Sequence, residues 1–103
     1  MKENIIKVVV KEVGRLPRVT ELINELKSFQ AIVDGYIEMV RFKGEMCLIC
    51  NEEGKIEGLP INFIWRGDRI VGNVFFTADG KEGEFRSLTE DEIQLCLKDL
   101  SYV

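Results

Sequence analysis

Histidine is absent from the chain. Without an imidazole, neither a Ser-His-Asp nor a Cys-His arrangement can be assembled, so the commonest hydrolase and acyl-transfer designs are excluded. Zinc is disfavoured for the same reason. Structural sites take four ligands, chiefly Cys and His, and this sequence offers three cysteines in all. An odd cysteine count also fits a reducing compartment better than a disulfide framework. Proline is scarce, with two residues, and glycine falls singly, so no linker or low-complexity tract divides the chain. At 103 residues a single domain, 1–103, is expected.

Long apolar runs are missing too. "VVV" at Val8 to Val10 and "VFF" at Val74 to Phe76 fall far short of the ~20 residues that span a bilayer. In the opening segment Lys7, Lys11 and Glu12 interrupt the apolar stretch that a secretory signal would need, so a cytoplasmic chain with no membrane partner is expected. No cluster of Lys and Arg is long enough to follow a phosphate backbone, and the formal net charge is -4. Nucleic acid is therefore not an expected partner.

What is present is β-rich sequence with two helical patterns. "NIIKVVVKEV" from Asn4 to Val13 reads as an opening strand with Ile6, Val8 and Val10 on one face. A helix is expected from an N-cap at Thr20, with Leu22, Leu26, Phe29 and Val33 as its apolar stripe, ending before Asp34-Gly35. "YIEMVRF" and "EMCLICN" then form a hairpin across Lys43-Gly44, followed by a tight charged turn at Glu52 to Lys55. Residues 56 to 69, with Gly58, Pro60 and Gly67, read as irregular. "IVGNVFFTA" at Ile70 to Ala78 reads as one strand in which Gly72 marks a bulge or a close backbone approach. Thr89 and Glu92 form a capping box, Leu88 and Ile93 its staple, and Ile93, Cys96, Leu97 and Leu100 the stripe of a last helix. The expected class is α+β, in the order β-α-β-β-(irregular)-β-α. It would hold a mixed or antiparallel sheet of about four to five strands and two helices.

"MCLIC" sets Cys47 and Cys50 at the spacing of redox and zinc motifs. On a strand, residues three apart face opposite sides, so their sulfurs cannot meet, and no metal or cofactor is expected. Glu38 shares a face with Tyr36, Val40 and Phe42, an acid among apolar neighbours as a carboxylate-based enzyme would place it. "NEEGK" lacks the alternating ligands of a calcium loop and the glycines of a phosphate loop. Around the irregular segment, Asn51, Asn62, Arg66 and Asn73 gather near Trp65 in sequence. Trp65 beside Arg66 has the composition of a binding hot spot, although a tryptophan closing one end of the core reads the same way.

"GYIEMV", "LICNEEGKIEGLPIN", "IVGNVFF" and "SLTEDEI" together resemble a domain-of-unknown-function family of small proteins frequent in phages and mobile elements. Glu38, Asn51, Glu52, Pro60 and Asn62 match its motif. The resemblance implies an accessory role, such as interference with a host system. Two function classes follow. One is a non-enzymatic protein that binds a host protein through Leu59 to Arg69 and the neighbouring hairpin. The other is a small-ligand domain, nucleotide-like in preference, using Asn51, Asn62 and Arg66. A carboxylate enzyme built on Glu38 ranks third.

Overall fold

The computed structural model describes residues 4–100. Strands β1 (Ile5–Lys11) and β2 (Arg18–Ile23) lead to helix α1 (Leu26–Val33), then strands β3 (Ile37–Arg41) and β4 (Met46–Asn51). A one-turn helix α2 (Gly54–Glu57) precedes strands β5 (Ile61–Trp65), β6 (Asp68–Val71) and β7 (Val74–Asp79). A 3-10 turn at Lys81–Gly83, the short strand β8 (Phe85–Arg86) and helix α3 (Glu90–Leu100) follow. The main sheet runs β2-β1-β7-β4-β3 with β8 on β7, and β5-β6 form a second, two-stranded sheet. Every pairing is antiparallel.

The α+β class stands, but the expected four to five strands and two helices do not: the described residues hold eight strands and three helices. Three local choices account for the difference. Thr20 does not cap a helix; it lies in β2 opposite Val8, and the helix starts only at Leu26. Val19, Thr20 and Ile23 are β-branched, and an adjacent strand with unpaired backbone groups draws them into a hairpin. The charged turn at Glu52 to Lys55 runs into α2, while the irregular segment is the β5–β6 hairpin. Finally, the expected strand Ile70 to Ala78 breaks at Gly72-Asn73 into β6 and β7. Gly72 has φ +75, and a Cβ there would sit 2.8 Å from Leu59 Cδ1. This is the close approach that its position in the sequence implied.

Both faces of the sheet are covered, which is why β1, β4 and β7 are apolar nearly throughout. On one face Ile6, Val8, Val10, Cys47, Ile49 and Phe75 pack against Phe29 and Val33 of α1. On the other, Val9, Leu48, Val74 and Phe76 meet Ile93, Cys96 and Leu100 of α3 together with Phe63 and Ile70 of the second sheet. The capping box closes as expected: Thr89 N–H donates to Glu92 Oε1 at 2.8 Å and Glu92 N–H to Thr89 Oγ1 at 3.2 Å. Arg86 adds a fork to both Glu92 oxygens, holding that carboxyl below its usual range.

Candidate functional site

The β5–β6 hairpin is laid across β3, β4 and β7 and pinned at both ends. At its base, Asn62 donates through Nδ2 to the backbone oxygens of Lys11 and Gly72, each at 2.8 Å, and accepts from Lys11 Nζ at 2.9 Å. Lys11 is 1% exposed, and its second bond is to Glu12 O. Burial lowers its pKa. In the middle, Phe63 stacks over Phe76 at 6.2 Å between ring centroids. Near the tip, Trp65 lies 4.3 Å from Phe42, which meets Phe76 edge-on at 4.8 Å.

Trp65 is partly buried, packed on the core with part of its ring left open. Its inner side packs against the core, and two cations lie on its ring: Arg66 at 5.0 Å and Lys43 at 5.7 Å from the centroid. Lys43 is tied to Asp99 on α3. Arg66 is exposed at the hairpin turn.

Beside the hairpin runs a cleft of about 290 Å³. Glu38, Val40 and Cys50 come from the β3–β4 hairpin, Lys55 and Ile56 from α2, and Asp68, Arg69 and Ile70 from β6. Val40, Cys50 and Ile70 give it an apolar floor, and charged groups of both signs rim it. Lys55 pairs with Asp68 across the cleft, a contact that also lowers the Asp68 pKa. Glu38 stands on the exposed rim, on β3, which has no strand beyond it among the described residues.

The eight candidates fall in four places. Glu38, Asn51 and Glu52 line this cleft. Pro60 and Asn73 line a smaller one of about 180 Å³ with Val33, Asp34 and Leu59. Trp65 and Arg66 form the hairpin tip, and Asn62 lies under its base. The asparagines are occupied with backbone. Asn51 donates to Val33 O and Asp34 O at 3.2 Å and accepts from Glu53 N–H at 2.8 Å, so it joins the end of α1 to the start of α2. Asn73 Oδ1 accepts from Val13 N–H at 2.9 Å. Sequence reading passed over Lys55, Asp68, Arg69 and Lys11. For Lys11 the signal existed: an unbroken Val8 to Val10 implies a strand buried on both faces, and strand alternation sets Lys11 in phase with buried Val9.

The cysteines lie as strand alternation requires. Cys47 belongs to the face under α1 and Cys50 packs against the opposite cluster, and all three thiols are free. Burial pushes Cys47 and Cys50 up to about 11 and Cys96 up to about 12. At neutral pH they are thiols, not thiolates. No group of His, Cys, Asp or Glu among the described residues could hold a metal ion. Mild oxidation should therefore give no Cys47–Cys50 disulfide. A thiol reagent at neutral pH should label native Cys50 roughly 100-fold more slowly than the unfolded chain, since each pKa unit removes tenfold of thiolate. A Cys47–Cys50 cross-link in peptide mapping, or unfolded-like labelling rates, would refute this.

No helix of the described residues is long and apolar enough to cross a membrane. Comparison with curated proteins gave no match, nor did comparison with solved structures. A family model described as a domain of unknown function, DUF3846, matches residues 6–101, nearly the entire chain, and the chain belongs to that family.

Proposed function

We propose that this chain is a small non-enzymatic accessory protein of a phage or mobile element, acting inside the host cell by docking a host protein through its β5–β6 hairpin. The observation that carries the reading is the hairpin's two-sided construction. Phe63 and Ile70 fix its inner side to the core, while Ile61 and Ile64 stay 52% and 55% exposed and Trp65-Arg66 sits at the tip. Exposed apolar residues beside a half-buried tryptophan and an arginine are the composition of a binding hot spot on a rigid support. The lack of histidine and the protonated thiols support a binding role over a catalytic one.

Affinity capture from a host lysate tests the proposal. Capture of a specific protein by the wild type, reduced at least about 30-fold by Trp65→Ala and by the surface change Ile64→Asp, is the expected result. Ile64→Asp is the cleaner arm, since Trp65 also packs on Phe42. Equal capture by both variants would overturn it.

A second reading, a small-ligand or nucleotide-like binder, rests on the cleft between β3–β4 and β6, whose apolar floor and rim cations Lys55 and Arg69 are the ingredients of a ligand site. Its volume is slightly below the usual range for drug-sized ligands, roughly 300–1,000 Å³. A nucleotide bound there at a hundred times its Kd would add about 2.7 kcal/mol and raise the melting temperature visibly. No shift with any nucleotide removes this reading.

A further inference from the structure

Trp65 pairs with Asp68, leaving Arg66 and Gly67 as a two-residue hairpin loop, with φ +51 and +79. Positive φ at both positions is the type I′ turn, which strongly prefers Asn-Gly or Asp-Gly. Gly67 suits its place. Arg66 does not, because a long side chain in the left-handed region carries a Cβ penalty that asparagine largely escapes. Stability alone would select asparagine there.

The strained backbone goes with a fixed guanidinium. Arg66 lies over the Trp65 indole, and that ring is itself held 4.3 Å from buried Phe42. A stacked guanidinium loses less freedom when it binds than a free one. Its hydrogen-bond donors are uncommitted: the carboxylates nearby, Asp68 and Asp99, are paired with Lys55 and Lys43, and no ion pair joins Arg66 to any described residue. On the hairpin's outer side Ile64 faces Arg69 across the strands, and residues directly opposite share a face. Arg69 likewise makes no close ion pair among the described residues, although its charge acts on neighbouring Asp68. Two guanidinium groups without an ion pair among the described residues thus sit at the end of the hairpin, Arg66 against the Trp65 ring and Arg69 beside exposed Ile64 on the outer side, on a chain of net charge -4.

We infer that Arg66, stacked on Trp65, is a preorganised carboxylate anchor, and that the hairpin recognises an acidic protein segment that also carries an apolar residue. The inference rests on the hairpin-docking reading and names the chemistry of its partner. Arg66 supplies the planar fork that a carboxylate accepts in bidentate fashion, Ile64 the apolar contact, and Arg69 the second charge.

Fluorescence anisotropy with labelled peptides tests it. One peptide carries Asp and Glu on both sides of a leucine, a second replaces them with Asn and Gln, and a single-stranded oligonucleotide serves as the phosphate probe. The expected result is binding of the acidic peptide alone, weakened by salt, with Arg66→Asn reducing affinity at least tenfold while raising the melting temperature by a few degrees. Arg66→Lys should fall between, keeping the charge but losing the fork. Equal binding of the acidic and neutral peptides, tighter binding of the oligonucleotide, or a lower melting temperature in Arg66→Asn would each overturn the inference. Host capture that survives Arg66→Asn but not Ile64→Asp would overturn this inference alone and leave hairpin docking intact. Capture that survives both would overturn the two together.

Discussion

Asn62→Ala should destabilise the protein by about 3–5 kcal/mol, far more than a single polar deletion at a surface. Asn62 serves three groups at once: it accepts from the buried Lys11 ammonium and donates to the backbone oxygens of Lys11 and Gly72. Alanine would leave the ammonium with Glu12 O as its remaining partner and would orphan two carbonyls where β1 meets the hairpin. A hydrogen bond to a charged group is worth about 1.5–3 kcal/mol, and an unsatisfied buried group costs about 1–3 kcal/mol. Even partial access of water leaves a sum in the stated range. Lys11→Met is the informative companion. It removes the charge along with its need for a partner, so it should cost less than Asn62→Ala, and the double variant should cost less than the sum of the two. Urea unfolding of all four proteins measures the cycle. A loss below about 1 kcal/mol for Asn62→Ala would show that Lys11 is satisfied without it.

This lysine-asparagine clasp marks the boundary of what the sequence conveys. Elements defined by local signals were legible: the opening strand, the β3–β4 hairpin with its oppositely facing cysteines, and α3 with its capping box and staple. Each depends on neighbours within a few residues. Arg18–Ile23 was not legible, because Thr20-Glu21 ahead of an apolar stripe is a sound helix start until β1 lies alongside to pair with it. Pairing between segments is not written in either one. The second hairpin was hidden for a more instructive reason. "NFIW" and "DRIV" are acceptable strands, but the turn between them holds Arg-Gly where Asn-Gly would announce it. The residue that obscured the hairpin is the one on which the binding inference rests. The candidate residues were found one by one and not as a site: Asn51, Asn62 and Asn73 turned out to hold backbone from distant elements, contacts that only the folded chain assembles.

Phe76→Ala should cost about 3–5 kcal/mol and, on the proposed hairpin docking, abolish binding of the acidic peptide from beneath the hairpin. Phe76 is fully buried at the middle of β7, opposite Val9 of β1 and Leu48 of β4. Its ring supports the hairpin twice, directly under Phe63 and indirectly through Phe42, on which Trp65 rests. Truncation to the β-carbon removes the platform from both rings at once. The strands on either side are locked by backbone bonds, so the space can be refilled only by movement of the hairpin or of α3, which pack on the same face. Against a total stability of about 5–15 kcal/mol for such a domain, the variant should remain folded at low temperature yet unfold at markedly lower urea concentration. Phe76→Leu keeps most of the volume, should cost about 1–2 kcal/mol, and should retain binding. The pair therefore separates support from contact. If Phe76→Ala is folded at low temperature and binds the acidic peptide as the wild type does, the hairpin holds its shape without the core beneath it, and the tip alone specifies recognition.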